Sequence, residues 1–228
     1  MEMKELQSTD YLNATRFINS DDKQIQELAK SLVNESDSDK EKAIKLFYYV
    51  RDAFRYNPYS ITYKMKATDV LHKKSAHCVD KACLLAALGR AVGVPSRLGF
   101  GTVKNHIGTA RLEEIIGTNV LAFHGYSEFL LDGKWVKATP AFNKGLCELL
   151  GVTALDFDGE TDCLFQQYGA DGESQFMEYL ADYGQFDDIP IDLFIQTMQE
   201  HYPKVFNKAM AQGGKLKVDE LEIDFSER

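Results

Sequence analysis

The order of patterns along the chain predicts an α+β fold, helices first and antiparallel strands after them. Three stretches carry that reading. Residues 75–98, SAHCVDKACLLAALGRAVGVPSRL, form an apolar helical run starting at Cys78. Ala82, Leu85, Leu88, Ala91 and Val92 share a face of it, and Gly93 and Pro95 stop it. Residues 121–131 and 134–139 read as strands, and Asp132-Gly133 between them is a two-residue hairpin signal. The expected core is a helix bearing Cys78 packed on an antiparallel sheet bearing His124 and Trp135.

Taken in order, residues 1–20 are mixed, with Tyr11, Leu12, Phe17 and Ile18 as apolar anchors. Asp21-Asp22 caps a helix to about residue 33, with Ile25, Leu28, Ala29 and Leu32 on one face. After the polar NESDSDKE a second helix is expected over about 39–54, with Ala43, Phe47, Val50 and Phe54 inward. Pro58 marks the break after it. Residues 64–71 are ambiguous, with Ala67-Thr68-Asp69 as a helix start. Residues 97–103 alternate around Gly99 and Gly101 as a strand, and 108–117 read as a short helix or lid. Pro140 ends the hairpin. The chain is then acidic and loop-rich to about Gly172. Helices are expected over about 174–182 and 190–212, and Gly213-Gly214 separates a tail alternating through Leu216, Val218, Leu221, Ile223 and Phe225. One domain is expected over 1–228, its core at about 43–143, with N-terminal helices and a C-terminal helical extension.

Composition narrows the function classes. A net charge of −9 argues against nucleic acid or an anionic membrane as partner. No apolar run approaches the ~20 residues of a bilayer span. The start, MEMKELQSTD, lacks a basic and then apolar leader, so no signal peptide is expected. Four cysteines in 228 residues are not a disulfide framework, and a reducing, cytoplasmic setting follows as the expectation.

Cys78 at a helix start is the candidate nucleophile. Unpaired N–H groups and the positive end of the helix dipole stabilise a thiolate and a neighbouring oxyanion, so its pKa is expected below about 8.5. A free cysteine more often packs as a small hydrophobe, and Cys83 is read that way. A cysteine nucleophile needs a base that takes its proton and later protonates the leaving group. Of five histidines, His124 is the best candidate. It lies on a strand beside the hairpin, on one face with Ala122, Tyr126 and Glu128, and the bland alternative is a hydrogen-bonded strand histidine. His77 adjoins Cys78 in sequence, but its side chain is expected to point elsewhere on the helix turn.

Several ordered motifs here resemble the transglutaminase-like superfamily. They are Cys78 opening an Ala/Leu-rich helix, Arg90-Ala91-Val92-Gly93-Val94-Pro95-Ser96-Arg97, His124-Gly125-Tyr126-Ser127-Glu128, and Gly133-Lys134-Trp135-Val136. Val50-Arg51-Asp52 followed by Tyr56 resembles the superfamily's segment before the cysteine. The resemblance covers about residues 43–143, and within the superfamily the chain looks like the stand-alone bacterial transglutaminase-like proteins of the cysteine-protease type. It implies a papain-like core, a Cys-His-Asp triad and acyl transfer through a thioester. Cys78 and His124 match position for position. The third member departs: in Trp135-Val136-Lys137-Ala138-Thr139-Pro140, Thr139 occupies the aspartate's place. Thr139 can accept a bond from an imidazole N–H but brings no charge. Asn143 is the other candidate for orienting the histidine.

The resulting expectation is a cysteine-dependent enzyme that hydrolyses or transamidates a peptide or protein amide, with water or an amine as acceptor and no cofactor. Cys78 is the nucleophile, His124 the base and acid, and Thr139 or Asn143 the orienting group. The Cys78 N–H contributes to an oxyanion hole, with Tyr56 as a weaker donor. The alternative in another class is a binding or scaffold module of the same fold without a working triad, which Thr139 favours. A zinc site through His72, His77, Cys78 and Cys83 has the wrong spacing. The carboxylates of Asp156, Asp158, Glu160 and Asp162 lack the glycine and final glutamate of a calcium loop and read as a solvated acidic loop.

Overall fold

The computed structural model describes residues 8–58, 65–107 and 110–211. The tail through Leu216 and Phe225, and residues 59–64 and 108–109 of the expected break and lid, lie outside them. The described residues open with a 3₁₀ turn at Ser8–Leu12 and two helices, α1 (Lys23–Leu32) and α2 (Asp39–Ala53). Asp22 caps α1 by accepting from Gln24 N–H at 2.8 Å. Ser38 and Glu41 form a reciprocal capping box on α2. Two short parallel strands follow, β1 (Arg55–Tyr56) and β2 (Ser75–Ala76), with α3 (Ala67–Leu71) between them in sequence. β2 leads straight into α4 (Cys78–Ala91).

The main sheet is antiparallel, in the order β5-β4-β3-β6. It comprises β3 (Ser96–Asn105), β4 (Val120–Leu131), β5 (Lys134–Ala138) and β6 (Met177–Phe186). The β4–β5 turn has φ of 50° at Asp132 and 80° at Gly133, the left-handed pair that a twisted two-residue hairpin requires. Helices α5 (Ala110–Ile116) and α6 (Lys144–Leu150) are short. A pair, α7 (Ile191–His201) and α8 (Pro203–Ala211), closes the described chain.

α4 is the hub, packing against α1, α2, α3, β3 and β4. It departs from the amphipathic helix expected, because every residue from Cys78 to Arg90 is buried. Burying Leu84, Leu85 and Leu88 contributes about 1.5–3 kcal/mol each. Its charged residues stay inside because each is bonded. Asp80 pairs with Lys73 at 2.8 Å. Arg90 reaches the carbonyls of Asn13, Ser96 and Asp187. Lys81 Nζ donates to the carbonyls of Arg51, Phe54 and Ala141 at 2.8–2.9 Å. That last set ties the end of α2 and the loop after β5 to one turn of α4.

Two expectations are corrected. Residues 174–182 are not helical; most of them belong to β6. Phe176, Tyr179, Leu180 and Tyr183 recur at helical spacing, yet β3 has backbone groups on its far edge that need a partner, and β6 supplies it. The loop-rich stretch after Asn143 opens with α6 instead, closed by Gly151 in the left-handed region.

Candidate active site

Cys78 is the first residue of α4, and His77 is its N-cap. His124 lies on β4 beside a β-bulge. Gly101 pairs with His124 and Val103 with Leu121, so Ala122 and Phe123 together oppose Thr102. Phe123 carries the bulge at φ 60°, a strained setting for a bulky side chain. Stacking on Phe100 (4.2 Å) and an edge contact with Phe194 (5.2 Å) hold it there. The bulge interrupts strict alternation, yet His124 and Ala122 still line the same cavity, as expected. Immediately after it, Gly125 lets β4 approach the start of α4: a Cβ there would lie 3.1 Å from Val79 Cα, a backbone atom that cannot turn aside.

These elements bring Cys78, His124, His77 and Tyr56 to one cavity, whose other walls are Pro58, Ile116, Leu121, Ala122, Met198 and Tyr202. Its volume is about 20 Å³, room for about one water. Cys78 is 2% exposed and His124 4%. Tyr202, at the α7–α8 junction, closes one side. Its hydroxyl accepts from Ala122 N–H at 2.6 Å and donates to the Val120 carbonyl at 2.7 Å.

Burial decides the electrostatics. It pushes the Cys78 thiol up to about 12, against the opposing pull of the Gly125, Val79 and Cys78 N–H groups. The direction is the opposite of the lowering expected from the helix start, because loss of water outweighs the local dipoles. Burial also raises Cys83, Cys147 and Cys163, so acidity does not single out Cys78. His124 is pushed down to about 4 by burial. His77 is pushed down to about 3, by burial first and then by the charges of His124 and Lys73.

The expected orienting groups lie differently. Asn143 accepts the Tyr56 N–H on its side-chain oxygen at 2.9 Å, which fixes β1, and it does not bond His124 Nδ1, which has no partner among the described residues. Thr139 is buried, and its N–H donates to the Cys163 carbonyl at 2.9 Å. Thr139 Oγ1 and His124 Nδ1 are both buried without a protein partner among the described residues, so neither bonds the other. A threonine hydroxyl sits on Cβ, one bond closer to the backbone than an aspartate's oxygens, and has no charge to draw an imidazole in. Two such orphans each cost about 1–3 kcal/mol, a cost tolerated at functional sites.

His77 is the residue that sequence reasoning misplaced. Both ring nitrogens lie 3.6 Å from Cys78 Sγ. The N-cap backbone is extended, at ψ 164°, and the ring turns back over the first turn so that Nδ1 accepts from Val79 N–H. Helical periodicity does not describe a cap. Lys81 is likewise illegible in the sequence, because a lysine in an Ala/Leu run reads as a solvent-facing position, whereas here it is buried on three carbonyls. Glu128 and Trp135, conspicuous in the motifs, do structural work: Arg97 bonds Glu128 at 2.6 Å and lies 4.0 Å from the Trp135 ring, joining β3, β4 and β5. Cys83 is buried with its thiol against the Phe17 carbonyl. In the acidic loop, Asp158 accepts from the Glu160 and Thr161 N–H groups, and Lys40 pairs with Glu160.

Among solved structures the chain is similar to a candidate cysteine protease from Cytophaga hutchinsonii, at 18% identity and TM-score 0.47, over 78% of this chain and 53% of that one. It is also similar to the periplasmic domain of TgpA from Pseudomonas aeruginosa, at 20% identity and TM-score 0.42, over 58% of this chain and 46% of that one. A candidate protease from Parabacteroides distasonis aligns at 17% identity and TM-score 0.37, over 51% of this chain and 23% of that one. This chain thus spans about half or less of each of them. No curated protein matches it. The family model described as the transglutaminase-like superfamily matches residues 26–140, from α1 to the end of the β4–β5 hairpin, taking in both Cys78 and His124. With half of its length in that match, the chain belongs to the transglutaminase-like superfamily.

Proposed function

We propose that the protein is a cysteine-dependent acyl-transfer enzyme that cleaves an amide through a thioester, with Cys78 as nucleophile and His124 as general base and acid. The supporting observation is the shared cavity of the first residue of α4 and the histidine beside the β4 bulge. Thiol and imidazole are neutral at rest, with burial holding one high and the other low. Proton transfer therefore accompanies attack. His124 takes the thiol proton as Sγ bonds to the amide carbonyl carbon. The Cys78 N–H at the positive end of α4 meets the resulting oxyanion, with Tyr56 as a second donor. The C–N bond breaks and the amine leaves with the proton from His124. Water or an acceptor amine then attacks the thioester, His124 takes its proton, the C–S bond breaks, and the proton returns to sulfur.

Thr139 stands where the superfamily has its aspartate and is the proposed orienting position. Asn143 serves the site through Tyr56. Leu121, Ile116 and Met198 favour an apolar side chain beside the scissile bond of a peptide or protein substrate. A cavity of one water's size has to widen to admit it, and the wall carrying Tyr202 is the part built from the C-terminal helices. Labelling with a cysteine-directed peptide electrophile, followed by a screen of peptide amides with and without amine donors, tests the reading. Cys78→Ala is expected to abolish labelling and turnover, and His124→Ala to lower turnover by about 10²-fold or more. Turnover that is unchanged in His124→Ala contradicts it. The orphaned His124 Nδ1 favours the second reading, an inactive binding module, and a wild-type chain that neither labels nor turns over supports that one.

A further inference from the structure

One buried charge near the thiol has no part in the reaction just described. Lys81 lies one helical turn beyond Cys78 on the same side of α4, and its side chain is fully buried. Packing alone does not account for a lysine there, since a methionine fills the same space without the cost of taking a charge out of water. What the ammonium holds is the frame of the cavity. Nζ donates to the Arg51, Phe54 and Ala141 carbonyls at 2.8, 2.9 and 2.8 Å. Phe54 leads into β1, whose Tyr56 lines the cavity with Cys78. Ala141 lies between Thr139 and Asn143, and Asn143 accepts the Tyr56 N–H at 2.9 Å. The bonds close a circuit, from Lys81 to Phe54, from Tyr56 to Asn143, and from Ala141 back to Lys81. β1 is fastened in turn to β2, which runs into His77 and Cys78, by the Asn57 N–H on the Ala76 carbonyl at 3.0 Å.

We propose that Lys81 is a positioning residue of the reacting centre: its ammonium fixes the Tyr56 strand and the loop from Thr139 to Asn143 against the first turn of α4, and turnover depends on that ammonium keeping its proton. This rests on the acyl-transfer reading and acts through Tyr56, the second oxyanion donor of that reading. Three carbonyls take three donors, and a neutral amine has two. Loss of one proton therefore frees one carbonyl and slackens the circuit at that point. The charged and titratable groups facing Lys81 are Arg51 and Asp52 on α2, Cys147 on α6 and Cys78 on α4. Burial draws the Lys81 pKa down to about 7, with the Asp52 charge opposing the fall. Cys78 and His124 titrate at about 12 and about 4, so a break in turnover between those limits reports a group outside that pair.

The test is the pH profile of turnover of the full chain on an activated peptide ester, set beside the titration of the Lys81 side-chain nitrogen by NMR. In the unsubstituted chain kcat is expected to fall by about tenfold as the pH rises, with its midpoint at the Lys81 titration. In Lys81→Arg, whose guanidinium keeps its charge, that alkaline fall is expected to vanish. In Lys81→Met, kcat per folded molecule is expected to drop by about 10²-fold at every pH, with KM changed by less than about twofold. A lysine with a purely structural role would lower the folded fraction and leave kcat per folded molecule where it was. That result overturns the inference, and so does a turnover midpoint that differs from the Lys81 titration. In either case a Cys78→Ala chain without turnover keeps the acyl-transfer reading standing, so only the role of Lys81 falls. An unsubstituted chain with no turnover at any pH overturns both. Should neither variant fold, the two midpoints in the unsubstituted chain decide: coincidence supports the inference and separation overturns it.

Discussion

At the scale of the residue, four buried thiols with raised pKa values differ in what surrounds them, not in acidity. Cys78 has a helix start, the Gly125 N–H and two imidazoles. Cys83 has a carbonyl, and Cys147 has the Gln166 amide. His124 Nδ1 and the Thr139 hydroxyl are both buried without a partner among the described residues. Thr139→Asp offers a longer, charged group at that position. An anion beside an imidazole favours its protonated form, so the His124 pKa should rise from about 4, and turnover should be kept or increased. NMR titration of His124 alongside the pH profile of kcat/KM reads both, and a substitution that moves neither shows that the orienting position lies elsewhere. The placement of Cys78 at a helix start and of His124 on a strand is legible in the sequence because local pattern alone decides both. His77 is not, because a cap side chain follows its own extended backbone, and Asn143 is not, because its partner Tyr56 is 87 residues away in sequence.

At the scale of the element, the strands around the hairpin can be read from alternation, and their bounds fall within a residue or two of those found. The β4 bulge cannot be read in the same way. It is a mismatch between β3 and β4, so neither strand contains it alone. β6 escapes for the same reason, its character being imposed by the open edge of β3. Beside the bulge the Tyr202 hydroxyl accepts the Ala122 N–H and donates to the Val120 carbonyl. Tyr202→Phe removes those two bonds and loosens the wall of the cavity. Urea unfolding should show a loss of about 1–3 kcal/mol, and Cys78 should alkylate faster at constant pH. An unchanged midpoint with an unchanged alkylation rate would mean that Tyr202 neither braces the strand nor guards the thiol.

At the scale of the whole molecule, one helix buried on every side organises the fold and the site together, and its interior charges make stability depend on pH. Lys81 needs three donors for its three carbonyls, and only the ammonium has them, while burial draws its pKa down to about 7. His124 and His77 are held down at about 4 and about 3, so they stay neutral in the folded chain where the unfolded chain, near 6.5, already binds protons. Stability from these groups is therefore whole above about pH 6.5 and falls as the pH drops toward about 4, by on the order of 3 kcal/mol for His124 alone. Asp80 and Glu128, whose carboxyls burial raises, act in the opposite sense. Denaturant midpoints between pH 7 and pH 4 should consequently fall less steeply in His77→Asn than in the wild type, and parallel curves would contradict the assignment. The central claim, that this fold carries an acyl group on Cys78, is met most directly by acid-quenched mass spectrometry of the chain during reaction with an activated peptide ester. The expected result is a mass increase equal to the acyl group, located on Cys78, removed by hydroxylamine and prolonged in His124→Ala. An acyl group that settles on another residue, or no adduct on a chain whose Cys78 is free to alkylate, would contradict it.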